Sequence, residues 1–152
     1  MERTITVTGT RATEHRTPGD YTALFAAYLA PFAGRDARFY LGGAVGIDSL
    51  ALQWLAERTE AGITVVVPDV LDRQPPQALQ AIARSRNRVD EVVELGAGEL
   101  NSGSYHARNR WMVDRSRLAI GFPLALGGET TGTWQTLNYC AQQGKPRLIV
   151  PV

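Results

Sequence analysis

Glycines gather at three points in this sequence, each directly after an apolar, β-rich run. They are Gly9 after the first run, Gly42, Gly43 and Gly46 after the second, and Gly127, Gly128 and Gly132 after a later one. Glycine allows a backbone to approach a ligand closely, and the free amides at the start of a following helix attract anions. We therefore expect these turns to bind a phosphate group.

The second turn runs on into a helix-like segment, Gly42-Gly-Ala-Val-Gly-Ile-Asp-Ser49. Its candidate ligand-binding residues are Gly42, Gly43, Gly46, Asp48 and Ser49. The two polar side chains could bind ligand hydroxyls; the alternative is a tight strand-to-helix turn with Asp48 as an ordinary N-cap. The segment is neither a G-x-G-x-x-G nor a Walker A motif, since no Gly-Lys-Ser/Thr follows, which argues against ATP hydrolysis of the P-loop kind.

The third turn offers hydroxyl groups before the last predicted helix. Thr131, Gly132 and Thr133 place hydroxyls beside the free amides of a helix start, an arrangement that suits a phosphate. Glu129 is the only carboxylate of this loop, and it is a weak catalytic candidate that could orient a sugar hydroxyl or a water. The alternative is that Glu129 is a solvated loop residue.

Two further segments carry arginine, whose guanidinium forms charge-assisted and often bidentate bonds to phosphate. Gly9-Thr10-Arg11 follows the first strand-like run, and Arg108-Asn109-Arg110 lies in a predicted helix. The alternatives are a plain loop arginine at position 11 and, in the helix, exposed arginines with Arg110 paired to Asp114 four residues on.

The elements that must position these segments alternate along the chain. Apolar runs predict strands at 5–8, 37–41, 63–67, 92–95, 118–122 and 147–152; helical spacing predicts helices at 18–32, from 47 to a stop at 62, and at 75–84, 105–115 (with Ser104 as N-cap) and 133–143. This alternation predicts an α/β fold in one domain over 1–152: a three-layer, Rossmann-like arrangement of a mostly parallel, twisted sheet with helices on both faces. Ligands of such sheets bind outside the carboxyl ends of the strands, where the glycines lie.

The composition narrows the classes of function. A net charge of +1 gives no overall field that would draw the protein to nucleic acid or to an anionic membrane. Cys140 is the only cysteine and is expected in the core, while His15 and His106 lack metal-ligand spacing, so no metal site is predicted. Neither a signal peptide nor a membrane span is recognisable, and we expect a cytoplasmic protein without a membrane partner.

Four motifs in order resemble the SLOG superfamily, which contains the Rossmann-like domain of DNA-processing protein A (DprA) and the LOG-type phosphoribohydrolases. Gly42-Gly-Ala-Val-Gly-Ile-Asp48 matches the Gly-Gly-Ala-x-Gly-Ile-Asp stretch of DprA-like domains, and Arg108-Asn109-Arg110 matches their Arg-Asn-Arg tripeptide. Thr131-Gly132-Thr133 stands for their Ser-Gly-Ser/Thr segment, and Gly9-Thr10-Arg11 for their Gly-Ser-Arg. The resemblance covers nearly the whole chain and is strongest to small stand-alone proteins of bacteria or phage.

The resemblance implies a phosphate pocket at these four segments and three possible functions. The first is binding of a phosphorylated nucleotide or nucleotide-derived ligand, for example by a sensor; the second is DprA-like binding of single-stranded DNA. The third is LOG-like hydrolysis of nucleoside monophosphates, but Thr136 stands where the LOG motif Pro-Gly-Gly-x-Gly-Thr-x-x-Glu has its glutamate, so hydrolysis would need Glu129 instead. The resemblance also implies a homo-oligomer.

Overall fold

The computed structural model describes residues 2–126 and 131–152, and in these ranges strands and helices alternate as predicted. The strands are β1 (Arg3–Gly9), β2 (Ala37–Leu41), β3 (Gly62–Val67), β4 (Glu91–Glu94), β5 (Leu118–Phe122) and β6 (Arg147–Ile149). The helices are α1 (Pro18–Tyr28), α2 (Ile47–Arg58), α3 (Pro76–Arg84), α4 (Ser102–Asp114) and α5 (Gly132–Gln142). Within the described residues, no helix is both long and apolar enough to span a bilayer.

The strands form one sheet in the order β4-β3-β2-β1-β5-β6, and every neighbouring pair is parallel. The chain moves outward from β1 to β4, then returns to place β5 on the other side of β1. The order of the strands therefore reverses between β1 and β5. In open α/β sheets this reversal leaves a crevice at the carboxyl ends of the two strands, and ligands bind there.

Apolar side chains cover both faces of the sheet, which confirms the predicted layers. The larger core lies under α1 and α2, where Ile5 and Val7 of β1 pack with Phe25 and Leu55. A smaller core lies under α4 and α5 on the other face. It consists of Val113, Ala119, Leu137 and Cys140. The cysteine is therefore a core residue, as expected.

α1 ends earlier than the periodicity predicts. It ends at Tyr28 instead of residue 32, and Ala30–Phe32 forms a 3-10 turn, because Pro31 has no amide to continue the α-helical hydrogen bonds. The regular part of β6 ends at Ile149, but the Val152 amide still donates to the Pro123 carbonyl at 2.8 Å, so backbone pairing continues to the predicted end at residue 152.

The start of α4 also differs from the prediction. The helix begins at Ser102, three residues earlier than predicted, and Asn101 instead of Ser104 is the N-cap. The Asn101 side chain accepts from the Ser104 amide at 3.0 Å, and Ser104 Oγ accepts from the Asn101 amide at 3.0 Å. This reciprocal capping box satisfies two amides, whereas a cap at Ser104 would satisfy one.

Two turns at the carboxyl edge pack backbone against backbone. The Ile47 amide at the start of α2 donates to the Thr10 carbonyl at 3.0 Å. Gly46, with φ of 78° and ψ of −130°, lies directly against the same stretch: a Cβ there would fall 2.5 Å from the Thr10 oxygen. Only glycine fits both the backbone conformation and the space.

We expect Gly46→Ala to lower the free energy of unfolding by roughly 3 kcal/mol or more, because it adds steric overlap to an unfavourable backbone conformation. Gly98→Ala is the matched control, since Gly98 also has a positive φ (81°) but no atom within 4 Å of an added Cβ. It should cost only about 1 to 2 kcal/mol. Urea denaturation of both variants measures the difference; equal losses would contradict the packing described here.

Candidate functional site

A cleft of about 790 Å³ opens at the reversal point of the sheet. Its walls are the end of β1 with the loop that follows, the first turn of α5, and one side of α4. Nine of the residues predicted for the site line it: Gly9, Thr10, Arg11, Asp48, Arg108, Asn109, Thr131, Gly132 and Thr133. Four segments that are distant in sequence therefore meet at one cavity, which we call the switch-point cleft.

Glycines of the β2–α2 turn shape this cleft from behind. Gly42, Gly43 and Gly46 do not line the cavity; Ala44 is the residue of the turn that does. The Gly43 carbonyl accepts from Gln74 Nε2 at 2.8 Å, and a Cβ on Gly42 would fall 2.7 Å from Arg108 Nη1. These glycines make room for the side chains behind the cleft.

Arg108 is the buried charge of the site, with only 5% of its surface exposed. Its Nη1 donates to the Gly42 carbonyl, and its Nε donates to Asn109 Oδ1 at 2.8 Å. Burial lowers the pKa of the guanidinium, and the nearby Asp48 carboxylate opposes that shift. The alternative of an exposed Arg108 is therefore wrong, and the residue lies in the wall of the cleft, while its binding of a ligand stays a prediction.

Asn109 connects Arg108 to the start of α5. Its Oδ1 accepts from Arg108, so its amide nitrogen points the other way, and a Cβ on Gly132 would lie 3.8 Å from that nitrogen. The side chain is buried and lines the cleft. Asn109 can thus present an N–H donor beside the α5 amides.

Asp48 lies two residues into α2, so it is not the N-cap, which is Gly46. Its Oδ2 accepts from the Ala44 amide at 3.3 Å. Burial raises the pKa of the carboxyl, while Arg108, the amides of Ala44 and Gly42, and Arg11 act in the opposite direction. Asp48 is the one acidic residue among the described residues that line the cleft.

Ser49, the other polar side chain of this turn, has a structural role. Its hydroxyl donates to the Ala44 carbonyl at 2.7 Å, which holds the turn closed, and the residue does not line the cleft. Nothing in its surroundings points to a ligand.

Tyr105 organises the two arginines on the cleft wall. The guanidinium carbon of Arg11 lies 5.3 Å from the centre of the Tyr105 ring, and that of Arg108 lies 5.8 Å from it. Such cation–π contacts are favourable and fix the direction of an otherwise flexible side chain. Arg11 itself is exposed to solvent, so its guanidinium can reach a ligand.

The first turn of α5 supplies uncharged donors. Thr131 is the N-cap, and its Oγ1 accepts from the Trp134 amide. Thr133 is buried and lines the cleft together with Thr131 and Gly132. The amides at this helix start have no partner within the helix and carry the positive end of its dipole, so they favour an anion. Gly127, Gly128 and the catalytic candidate Glu129 lie outside the described residues.

Arg110 is the one predicted arginine that misses the cleft. It lies instead in an adjoining groove of about 320 Å³ between α4 and α5, which shares His106, Asn109 and Gln135 with the cleft. The predicted pairing with Asp114 is not among the ion pairs of the described residues. Asp114 instead accepts from the Tyr139 hydroxyl at 2.6 Å.

Sequence reasoning missed part of the wall. Residues that line the cleft without having been predicted are Val7, Thr8, Ala12, Ala44, Ser102, Tyr105, His106, Met112, Leu124 and Gln135. A helical projection of α4 would have placed Ser102, Tyr105 and Asn109 on one side, since they follow a spacing of three and four residues. Leu124 offers no such signal, because it lies in a loop. No group of three or more potential metal ligands occurs in the described part of the chain.

Solved structures with the same arrangement are found when the coordinates are compared. DNA processing protein A (DprA) from Streptococcus pneumoniae matches 99% of this chain with a TM-score of 0.72 and 21% identity. DprA from Helicobacter pylori, described for its single-stranded DNA binding mode, matches 99% with a TM-score of 0.69 and 20% identity. A third protein, TM1055, which has a LOG-like fold, matches 95% with a TM-score of 0.62 and 18% identity.

The fold is that of a DprA-like, Rossmann-like domain. The motif resemblance and the structural match agree on this point along almost the whole chain. This chain covers 51% of the Streptococcus pneumoniae DprA chain, 66% of the Helicobacter pylori DprA chain and 72% of TM1055. Neither protein-family profiles nor curated protein sequences give a match.

LOG-like hydrolysis of nucleoside monophosphates, the third function implied by the resemblance, would require a carboxylate near the α5 turn. Thr136, at the position of the LOG glutamate, is buried, and its hydroxyl donates to the Gly132 carbonyl at 2.8 Å. It does not line the cleft. The Thr136 hydroxyl is therefore bonded within its own helix, and the role of Glu129 stays a prediction.

We expect Arg108→Lys to lower the free energy of unfolding by about 1 to 3 kcal/mol even without ligand, because an ammonium cannot serve both Gly42 and Asn109 from that position. Arg110→Lys is the control: this arginine is exposed, so its effect should stay within about 0.5 kcal/mol. Chemical denaturation at neutral pH checks both. An Arg108→Lys variant as stable as the wild type would show that the two hydrogen bonds carry little stability.

Proposed function

We propose that this DprA-like domain binds a phosphorylated nucleotide or nucleotide-derived ligand in the switch-point cleft, as a binding protein or sensor. The single observation that carries the proposal is the meeting of three kinds of anion-binding group at one cavity. They are the start of α5 with Thr131 and Thr133, the exposed guanidinium of Arg11, and the buried Arg108. Each attracts an anion on its own, and in a partly enclosed site their effects are less screened than in water.

The phosphate group of the proposed ligand lies at the α5 end of the cleft. Gly132 and Thr133 amides, the Thr133 hydroxyl and the Asn109 amide are all donors there, while Asp48 would repel a phosphate placed near α2. Arg11 is exposed beside the Tyr105 ring and can close over the ligand. The volume of about 790 Å³ is within the range of small-molecule sites.

A panel of nucleoside mono- and diphosphates tests the proposal by thermal denaturation. A ligand present at 100 times its Kd should raise the free energy of unfolding by about 2.7 kcal/mol. Arg11→Ala should weaken binding about tenfold, because it removes a charge-assisted bond to phosphate. Arg84→Ala is the control, since Arg84 is exposed and lines none of the cavities described here. The proposal fails if no phosphorylated compound stabilises the protein.

Binding of single-stranded DNA is the second candidate, and the groove beside the cleft favours it. This groove carries Arg110 and the amide side chains of Gln135, Asn138 and Gln142, and it continues the cleft along α4. A chain of nucleotides could therefore extend from one cavity into the other. The Helicobacter pylori DprA, a structural neighbour, is itself described as binding single-stranded DNA.

If DNA is bound in this way, oligonucleotide affinity should fall steeply with salt, at about 0.7 log units per log unit of salt for each phosphate contacted. Arg110→Ala should reduce that slope by one contact and leave mononucleotide binding unchanged, because Arg110 is outside the cleft. Fluorescence anisotropy with a labelled oligonucleotide measures both quantities. Absence of binding at low salt would remove this candidate and would leave nucleotide binding open to the first test.

A further inference from the structure

Asp48 is a buried carboxylate on the wall of a cleft otherwise suited to an anion. Only 8% of the Asp48 surface is exposed, and Asp48 lines the same cavity as Arg11 and Thr133. A carboxylate accepts hydrogen bonds at about four positions, whereas the protein supplies the amide of Ala44 and the nearby amide of Gly42. Because Asp48 lines the cleft, a bound ligand can use the remaining acceptor capacity.

Arg108 does not use this capacity, although it is the nearest buried cation. Both groups lie close to the point where a Cβ on Gly42 would be, Arg108 Nη1 at 2.7 Å and Asp48 Oδ2 at 2.9 Å from it. In the described part of the chain they form no ion pair, and the donors of Arg108 go to Gly42 and Asn109 instead. The positive charge of Arg108 favours the ionised Asp48 carboxylate without forming an ion pair with it. The carboxylate therefore stays available to hydrogen-bond donors of a ligand.

The strand order gives the order of magnitude of the distance between this acceptor and the proposed phosphate position. Asp48 follows β2 and the α5 start follows β5, and these two strands lie on either side of β1. Neighbouring strands are about 4.8 Å apart, so the two groups are separated by roughly 10 Å across the sheet. A 5′-phosphate and the ring hydroxyls of one ribose, each with its hydrogen bond, span a distance of that order.

We propose that Asp48 accepts hydrogen bonds from the 2′- and 3′-hydroxyls of a ribose and thereby makes the cleft selective for ribonucleotides over deoxyribonucleotides. The inference rests on the proposed function, because it assigns the sugar of the same ligand whose phosphate lies at α5. Hydroxyls are donors that a carboxylate binds strongly, and a deoxy sugar would leave the buried carboxylate without that partner.

Calorimetric titration of the wild-type protein provides the first test. The probes are the four ribonucleoside 5′-monophosphates, the 2′-deoxy and 3′-deoxy forms of whichever of them binds most tightly, and inorganic phosphate. We expect removal of a hydroxyl to weaken binding about tenfold, the usual effect of losing a hydrogen bond to a charged group. Inorganic phosphate should bind more weakly than the ribonucleotide.

Asp48→Asn provides the second test, with Asp72→Asn as the matched control. Asparagine keeps an oxygen for the Ala44 amide but has no charge, so the preference for ribose should fall to less than about threefold while phosphate binds as well as before or better. Asp72 is an exposed carboxylate that does not line the cleft, and its variant should keep the full preference. Circular dichroism verifies the fold of both variants.

The outcomes separate this inference from the proposed function. Equal affinities for ribo and deoxy forms, or a preference that follows the base and ignores the sugar, would overturn the role of Asp48 and leave phosphate binding intact. Absence of binding for every nucleotide and for phosphate would overturn both. The wild-type sugar series stands even if Asp48→Asn does not fold.

Discussion

The hydrogen bonds of the buried Arg108 guanidinium are the interaction on which the rest of the site depends. It bonds the Gly42 carbonyl of the β2–α2 turn and the Asn109 side chain of its own helix. Through these bonds α4 is attached to the carboxyl edge of the sheet, and Tyr105 and Asn109 are brought to the cleft. The requirement for glycine at position 42 follows from the same contact, because a Cβ there would occupy the position of the guanidinium.

A buried arginine carries an electrostatic cost, and its neighbours reduce that cost without removing it. Burial lowers the pKa of Arg108 and raises the pKa of Asp48, so each charge is disfavoured by its surroundings and favoured by the other. Two opposite charges close to each other but not paired are a poor arrangement for stability alone. They are a good arrangement for a site in which a ligand brings both an anion and hydroxyl donors.

Local signals in the sequence were sufficient for the elements and for much of the cleft. Gly9 and Gly46 mark places where the backbone packs so closely that no side chain fits, and the alternation of strands and helices led to the parallel sheet. Prediction was wrong where a single residue overrode periodicity, as Pro31 did at the end of α1. It also missed contacts between distant segments: nothing local shows that the Tyr105 ring lies near both Arg11 and Arg108.

The wall of the cleft, more than the fold, separates the functions considered for this chain. The fold alone does not decide between binding and hydrolysis, because one fold can carry several unrelated activities. Hydrolysis of a glycosidic bond needs an acid or base beside the sugar, and Thr136 instead bonds to a carbonyl of its own helix. Asp48 is bonded to the β2–α2 turn and faces the cleft from the α2 side, across β1 from the helix start that attracts phosphate. A carboxylate at that position lies beside the sugar of the proposed ligand, so the group proposed to bind the ribose hydroxyls is also the one acidic residue among the described residues of the cleft wall.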